Sequence, residues 1–328
     1  MTISKRDLFI AFDNLFKKIP KYKLVVSFSG NKDSVVLTTL LIEWIRNYAP
    51  YWNIRLVHFV HGDSRSDLMA AKIAQDFAME NELCFDIQTC HITNEYSGSV
   101  FRKEYFTRTV KDDEIVVTGH HLSDSVETTL INLFSGAGPK GASGISEHIV
   151  YNQIIFVRPF IAAQLYQEEI DHLSSLLLLD EDVHYVYDEM NLNTQMKRNA
   201  IREEILPKIE KTFPNVQEKI FDFSRTMVEQ SIANEYLFKV VDSKLSAGQN
   251  MYSETLISEM MLENPEVFNI WFFTFFRIKF QLALNKNHLS QFKLFLSRNA
   301  SICHLPNGHR IIRYSPKILC FTINTNEK

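Results

Sequence analysis

The sequence predicts an α/β fold, a doubly wound parallel sheet, followed by a mostly helical C-terminal domain with a small terminal β-hairpin. Two observations predict the sheet. Short β-rich apolar runs alternate with helical patterns as far as residue 177, and several runs are apolar throughout, as when helices cover both faces. A third observation predicts the rest: beyond residue 214 apolar residues recur at helical spacing until a short β signal near the end.

The elements follow in order. Residues 2–18 form an amphipathic helix with Leu8, Phe9, Phe12, Leu15 and Phe16 on one side, ended by Pro20. Strands are expected at 24–28, 54–60, 84–90, 115–118 and 154–157, and helices at 34–48, 67–79, 99–109, 123–134 and 164–177. Residues 188–197 are polar and irregular and read as a linker or mobile loop, and 198–211 resume as helix. Pro214-Asn215 starts a long helix, with Asn215 as N-cap and Glu218 completing a capping box, that runs to Gly248. Asn264-Pro265 opens another, whose Phe268, Trp271, Phe272, Phe275 and Phe276 read as packed core rather than as a surface for stacking bases. Pro306-Asn307-Gly308 between apolar runs marks a hairpin, and 317–322 a last strand. The expected domains are a sheet domain over 1–185, a linker with a loop and helix over 186–214, and a helical domain over 215–328.

The stretch Ser27-Phe28-Ser29-Gly30-Asn31-Lys32-Asp33-Ser34 joins the first sheet strand to its helix and has the layout of a phosphate-binding turn. The first N–H groups of such a helix lack intrahelical partners and sit at the positive end of its dipole. Gly30 lets the backbone approach a phosphate, and Asn31 tolerates a left-handed turn. Ser29 and Ser34 offer hydroxyls, and Asp33 a carboxylate for Mg²⁺. The Walker pattern is not present.

A second stretch, Thr118-Gly119-His120-His121-Leu122-Ser123-Asp124-Ser125-Val126-Glu127-Thr128, also leaves a strand for a helix and shares the carboxyl edge of the sheet with the first. Asp124 and Glu127 lie on one helical face and suit Mg²⁺ or an ammonium group; first-turn acids also arise simply to complement the dipole. His120 and His121 are candidate contacts for nucleotide or phosphate. Glycines at 136, 138, 141 and 144 surround Lys140, a candidate contact for phosphate or substrate on what is otherwise a structural loop. Arg198 and Arg202, one helical turn apart, suit bidentate phosphate contact or ion pairs with Glu203 and Glu204.

Composition narrows the class. The 328 residues suggest two or three domains, and the net charge of −4 conceals an asymmetry. Between Val267 and Lys328 nine basic residues face one acid, a surplus of eight that leaves −12 on the rest. This suggests an acidic catalytic body with a basic arm for a polyanion, or a solvated basic surface. No apolar run approaches a membrane span, and Met1–Phe12 is too charged for a signal peptide. Cys84, Cys90, Cys303 and Cys320 have no C-x-x-C spacing, which speaks against a zinc site or redox pair and for a reducing, cytoplasmic setting.

Taken in order, S-G-N-K-D-S, V-H-F-V-H-G, G-H-H-L-S-D-S-V-E-T, G-A-G-P-K-G-A-S-G, Val157-Arg158-Pro159 and K-R-N-A-I-R-E-E-I-L-P resemble the tRNA(Ile)-lysidine synthetase family of PP-loop ATP pyrophosphatases. The likeness runs from about Val25 to Pro214. More loosely, the part after it is similar to that family's tRNA-binding region in its short form. The resemblance implies an adenine nucleotide α-hydrolase-like sheet that uses ATP and Mg²⁺. It implies adenylation of the wobble cytidine of a CAU-anticodon isoleucine tRNA, then attack by the side-chain amine of L-lysine.

The same resemblance implies that Ser29, Gly30, Asn31, Lys32, Asp33, Ser34, His61 and His120 bind ATP, with Asp33 on the metal. Catalysis would fall to Asp33, Asp124, Glu127, Arg198 and Arg202, and lysine or tRNA contact to Asp124, Glu127, Lys140, Arg198, Asn199 and Arg202. Whether the chain forms a homodimer is left open. The sequence departs from the family at Asn31 (usually Gly), Ser123 (an acid), Ser135 (Arg) and Asn193 (Asp), and in a shorter loop after His61-Gly62. These departures keep two alternatives in view: a thiolase-type PP-loop enzyme, and a tRNA-binding homologue with impaired turnover.

Overall fold

The computed structural model describes residues 3–19, 21–60, 62, 65–90, 95–178, 185, 197–298 and 300–322. His61, Pro20, Asn193 and most of the expected linker at 188–197 lie outside the described residues. The chain divides into two compact units, Met1–Thr226 and Met227–Lys328.

The first unit is built on a six-stranded sheet. Its strands are β1 (Lys23–Ser27), β2 (Asn53–Val60), β3 (Cys84–Thr89), β4 (Glu114–Val117), β5 (His148–Tyr151) and β6 (Ile154–Val157), in the spatial order β3-β2-β1-β4-β6-β5. All neighbours are parallel except β5 against β6. Alternation sends Leu24 and Val26 of β1 to one face, where Leu8, Phe12 and Phe16 of α1 (Lys5–Phe16) and Leu37, Leu41 and Trp44 of α2 (Lys32–Tyr48) pack. Val25 goes to the other face, with Val57, Phe59, Phe156 and Phe106 of α4 (Glu95–Thr109). Two apolar faces explain why these strands read as unbroken apolar runs. The strand order turns outward in opposite directions from the β1–β4 pair, which opens a crevice at their carboxyl ends.

Three local departures from expectation have physical causes. The parallel sheet carries an antiparallel edge strand, β5, joined to β6 through Asn152 and Gln153, with φ of 45° and 68°. Glycine usually takes the second of these positions, so the sequence gives little hairpin signal. The expected helix at 164–177 starts late: a short α7 (Pro159–Ala162) intervenes, Gln164 turns left-handed at φ 57°, and α8 spans Gln167–Leu178. The expected helix at 198–211 is α9 (Lys197–Ala200), a π-helical turn Ile201–Ile205 and α10 (Leu206–Thr212). The wide turn precedes Pro207, which lacks an N–H and whose ring would crowd the preceding carbonyls.

Between β2 and the end of this unit run α3 (Arg65–Glu80), α5 (Leu122–Phe134), α6 (Pro139–Ala142) and the start of α11 (Val216–Leu245). The expected Asn215–Glu218 capping box is replaced by another contact. Asn215 is left-handed at φ 59°, and its N–H donates to Glu210 at 2.6 Å.

The second unit packs α12 (Glu254–Glu263), α13 (Pro265–Phe280) and α14 (Lys286–Ser297) with a five-stranded antiparallel sheet. The expected terminal hairpin is there, as β9 (Ile302–His304) and β10 (Arg310–Ser315), with β11 (Ile318–Thr322) beside β10. Two short strands, β7 (Ser246–Gly248) and β8 (Met251–Ser253), enlarge it into the full sheet. Phe268, Trp271, Phe272, Phe275 and Phe276 of α13 are fully buried, with Phe272 on Phe292 at 5.2 Å and Phe275 on Phe321 at 4.7 Å. They form the core, as expected. The charge asymmetry along the chain shrinks in this unit, which holds eleven basic and eight acidic residues, net +3. Arg277 pairs with Glu235, Lys279 with Asp242 and Arg313 with Glu254.

Candidate active site

The phosphate-loop residues sit at the carboxyl end of β1, in the crevice. Gly30 takes φ +79°, and a Cβ there would lie 3.0 Å from the carbonyl oxygen of Ala70 on α3. Both the left-handed backbone and the close approach require glycine. Asn31 does not share that conformation: at φ −83° it is extended and caps α2, so the single left-handed residue of the loop is Gly30. The serine hydroxyls are spent inside the loop. Ser29 Oγ lies 3.0 Å from Ser34 Oγ, Ser34 Oγ donates to the Asn31 carbonyl at 2.9 Å, and the Ser29 N–H donates to Ser34 Oγ at 3.2 Å. These bonds preform the bed.

The second stretch touches the first. A Cβ on Gly119 would sit 3.3 Å from the Asp33 backbone, so glycine here permits the two loops to meet. His121 caps α5 and is fully buried, with Nε2 3.4 Å from Asp124 and 3.9 Å from Asp33, and thus lies between the two carboxylates. His120 Nδ1 is 2.8 Å from Thr118 Oγ1, and burial lowers its pKa to about 4, leaving a neutral imidazole at physiological pH.

The arginines join the carboxylates of α5 and leave Glu203 and Glu204 aside. Arg202 holds Glu127 through Nε at 2.6 Å and Nη2 at 3.0 Å, and approaches Asp124 at 3.4 Å. Arg198 lies 3.5 Å from Asp124 and 3.7 Å from Glu127 and donates to Thr128 at 3.2 Å. Glu127 is fully buried.

Burial pushes the Asp33 carboxyl above its ordinary 3.8, and the Asp124 charge adds to it against His121, Gln167 and Lys32. Burial acts on Asp124 too, but the neighbouring His121 with its backbone N–H, and the Arg198 guanidinium, outweigh it and hold that carboxyl low. Burial also raises Glu127, against Arg202. Since Asp124 helps to raise Asp33, Asp124→Asn is expected to lower the Asp33 titration midpoint, read by carboxyl ¹³C NMR. An unchanged midpoint would mean that the two groups share no field.

A cleft of about 280 Å³ is lined by Ser29, Asn31, Asp33, Ser34, His120, Asp124 and Arg198 among the expected residues. Phe59, inside the V-H-F-V-H-G stretch near the end of β2, and Arg102, a single base in a helix that carried no sequence signal, also line it. Lys140 is exposed on α6, away from the lining, and Lys32 reaches Asp171 of α8. Asn199 is buried in α9, beside Arg198 in sequence. Among the described residues no group of three or more His, Cys, Asp or Glu side chains forms a cage for a metal ion. The hard oxygens of Asp33 and Asp124 do fit Mg²⁺, which uses one or two carboxylates together with substrate phosphates and water.

Fold and cleft together define a doubly wound α/β protein with its Gly30 loop at the switch point of the sheet. Residues 5–209 match the family model of the PP-loop domain, and the chain belongs to that family. Within it the chain is similar to curated tRNA(Ile)-lysidine synthases. It is 26% identical over 271 residues to that of Wigglesworthia glossinidia brevipalpis, covering 78% of this chain and 66% of the relative. Against that of Legionella pneumophila (strain Lens) it is 27% identical over 280 residues, covering 83% and 60%. The chain thus spans about three fifths to two thirds of the length of these relatives. Among solved structures, the U34-tRNA thiolase NcsA of Methanococcus maripaludis superposes with a TM-score of 0.54 at 19% identity, over 69% of this chain and 77% of that one. That likeness establishes the shared fold.

Proposed function

We propose that this protein is an ATP-dependent carbon–nitrogen ligase that makes lysidine in a CAU-anticodon isoleucine tRNA. The observation that carries the reading is the meeting of Asp33 and Asp124 across His121, at 3.9 Å and 3.4 Å, in a PP-loop chain similar to lysidine synthases. In the first step the cytidine C2 oxygen attacks the α-phosphorus of ATP, and the bond to pyrophosphate breaks. In the second, the lysine side-chain amine adds at C2 and loses its proton, and the C2–oxygen bond breaks to release AMP.

The residues divide accordingly. The preformed bed of Ser29, Gly30, Asn31 and Ser34 and the first turn of α2 hold the departing pyrophosphate. Mg²⁺, held by Asp33 with Asp124 in reach, would spread the charge of the leaving group. Asp124 and Glu127 orient the lysine ammonium, which enters by competing with Arg198 and Arg202 for the carboxylates. Arg198 and Arg202 then face the α-phosphate or the tRNA backbone. The neutral His120 lies against nucleotide. The departures at Asn31 and Ser123 fit this reading: Asn31 caps α2 with extended backbone, and Ser123 accepts the Gln167 N–H at 3.1 Å. The net +3 of the second unit suits a tRNA backbone. No described helix is long and apolar enough to cross a membrane, and a cytoplasmic setting accords with four cysteines free of disulfides.

The reading predicts tRNA-dependent release of pyrophosphate and AMP from ATP. Release of orthophosphate and ADP would contradict it.

A further inference from the structure

Lys32 belongs to the phosphate loop by sequence, yet it is ion-paired with Asp171 on α8 and does not line the cleft. The Gln167 side-chain amide uses both its protons nearby, one donated to Asp171 Oδ1 at 2.9 Å and the other to Asp33 Oδ1 at 3.3 Å. The Gln167 backbone N–H is anchored on Ser123 Oγ at 3.1 Å, which ties this turn of α8 to the second stretch.

We infer that the start of α8 carries positioning residues for the phosphate loop: Asp171 holds the Lys32 ammonium off the phosphate bed until a polyphosphate competes for it, and Gln167 couples this latch to Asp33. The inference rests on the proposed reading of the loop as a pyrophosphate site. Its physical basis is competition between two anions for one ammonium. The pair is partly open to solvent, with 28% of the Lys32 side chain and 52% of the Asp171 side chain exposed, so a highly charged ligand can displace the carboxylate without burying it. Gln167, donating to both Asp33 and Asp171, links the ion pair to the loop.

The test is calorimetric binding of inorganic pyrophosphate with Mg²⁺ to the full chain. Asp171→Asn keeps the shape of the side chain and an oxygen for Gln167 but removes the competing charge, and is expected to tighten binding roughly two- to fivefold. In a Lys32→Met background the same substitution is expected to leave the dissociation constant unchanged, which separates the latch from a general gain in positive potential. A structural role for Asp171 would leave binding unchanged or weaken it, and either result with Lys32 present overturns the latch. An equal gain in the Lys32→Met background overturns it as well. If the unsubstituted chain binds no pyrophosphate, the reading of the loop falls first and the latch with it.

Discussion

Asp33→Asn is expected to slow pyrophosphate release roughly a thousandfold while leaving the protein as stable as before, or slightly more so. The two halves of this result have one cause. Burial and the Asp124 charge raise the Asp33 pKa, so the folded chain binds this proton more tightly than the unfolded chain. A carboxyl raised in this way loses stability for the fold as pH rises from 3.8 through the raised value, and at neutral pH its ionised form is a net cost. Asn removes that cost together with the charge that the proposed mechanism places at the metal and leaving group. A fall in activity with an unchanged or higher urea midpoint is the predicted signature. Equal losses of stability and activity would make Asp33 a structural residue.

Glu127→Ala is expected to act on both quantities. Glu127 is fully buried and takes a bidentate contact from Arg202. Among the described residues, removing it leaves that guanidinium with the longer contact to Asp124, at 3.4 Å. One-sided loss of a buried pair costs about 3–5 kcal/mol. Arg202 keeps 32% of its side chain exposed, so the expected loss is about 2 kcal/mol, read from chemical unfolding. Lysine transfer should fall at least about a hundredfold. Glu127→Gln retains hydrogen-bond acceptance without charge, and is expected to recover most of the stability and little of the transfer. Recovery of both would remove the carboxylate charge from the reaction.

Much of the site was legible because its signals are local. An apolar strand, Gly30 and a helix with Asp33 in its first turn spell a phosphate-binding turn, and the structure brings that turn against Gly119. The spacing of Asp124 and Glu127 placed both on one face of α5, and the spacing of Arg198 and Arg202 put both on one side of their helix, but the acids they meet are those of α5 and not the expected Glu203 and Glu204. What local pattern does not carry is which residues distant segments bring together. Arg102 reaches the cleft only through the packing of α4 on β2, where Phe101, Tyr105 and Phe106 meet Phe59. Gln167 and Asp171 face the phosphate loop only because the chain turns left-handed at Gln164 and restarts as α8. Asn31 was misread for a related reason: its type tolerates a left-handed backbone, but Gly30 had already supplied the turn. Edge strand β5 was missed because Asn152-Gln153 makes a tight turn without the usual glycine. The basic stretch after Val267 looked more one-sided along the chain than in space, where Glu235, Asp242 and Glu254 meet Arg277, Lys279 and Arg313.

The most direct measurement is incorporation of labelled L-lysine into CAU-anticodon isoleucine tRNA with ATP and Mg²⁺, beside initiator methionine tRNA as control. The predicted result is lysine fixed in the isoleucine tRNA alone, with one AMP and one pyrophosphate released for each lysine. Failure to fix lysine in the isoleucine tRNA, despite binding of that tRNA and of ATP, would contradict the assignment and leave a PP-loop protein with another substrate or without turnover.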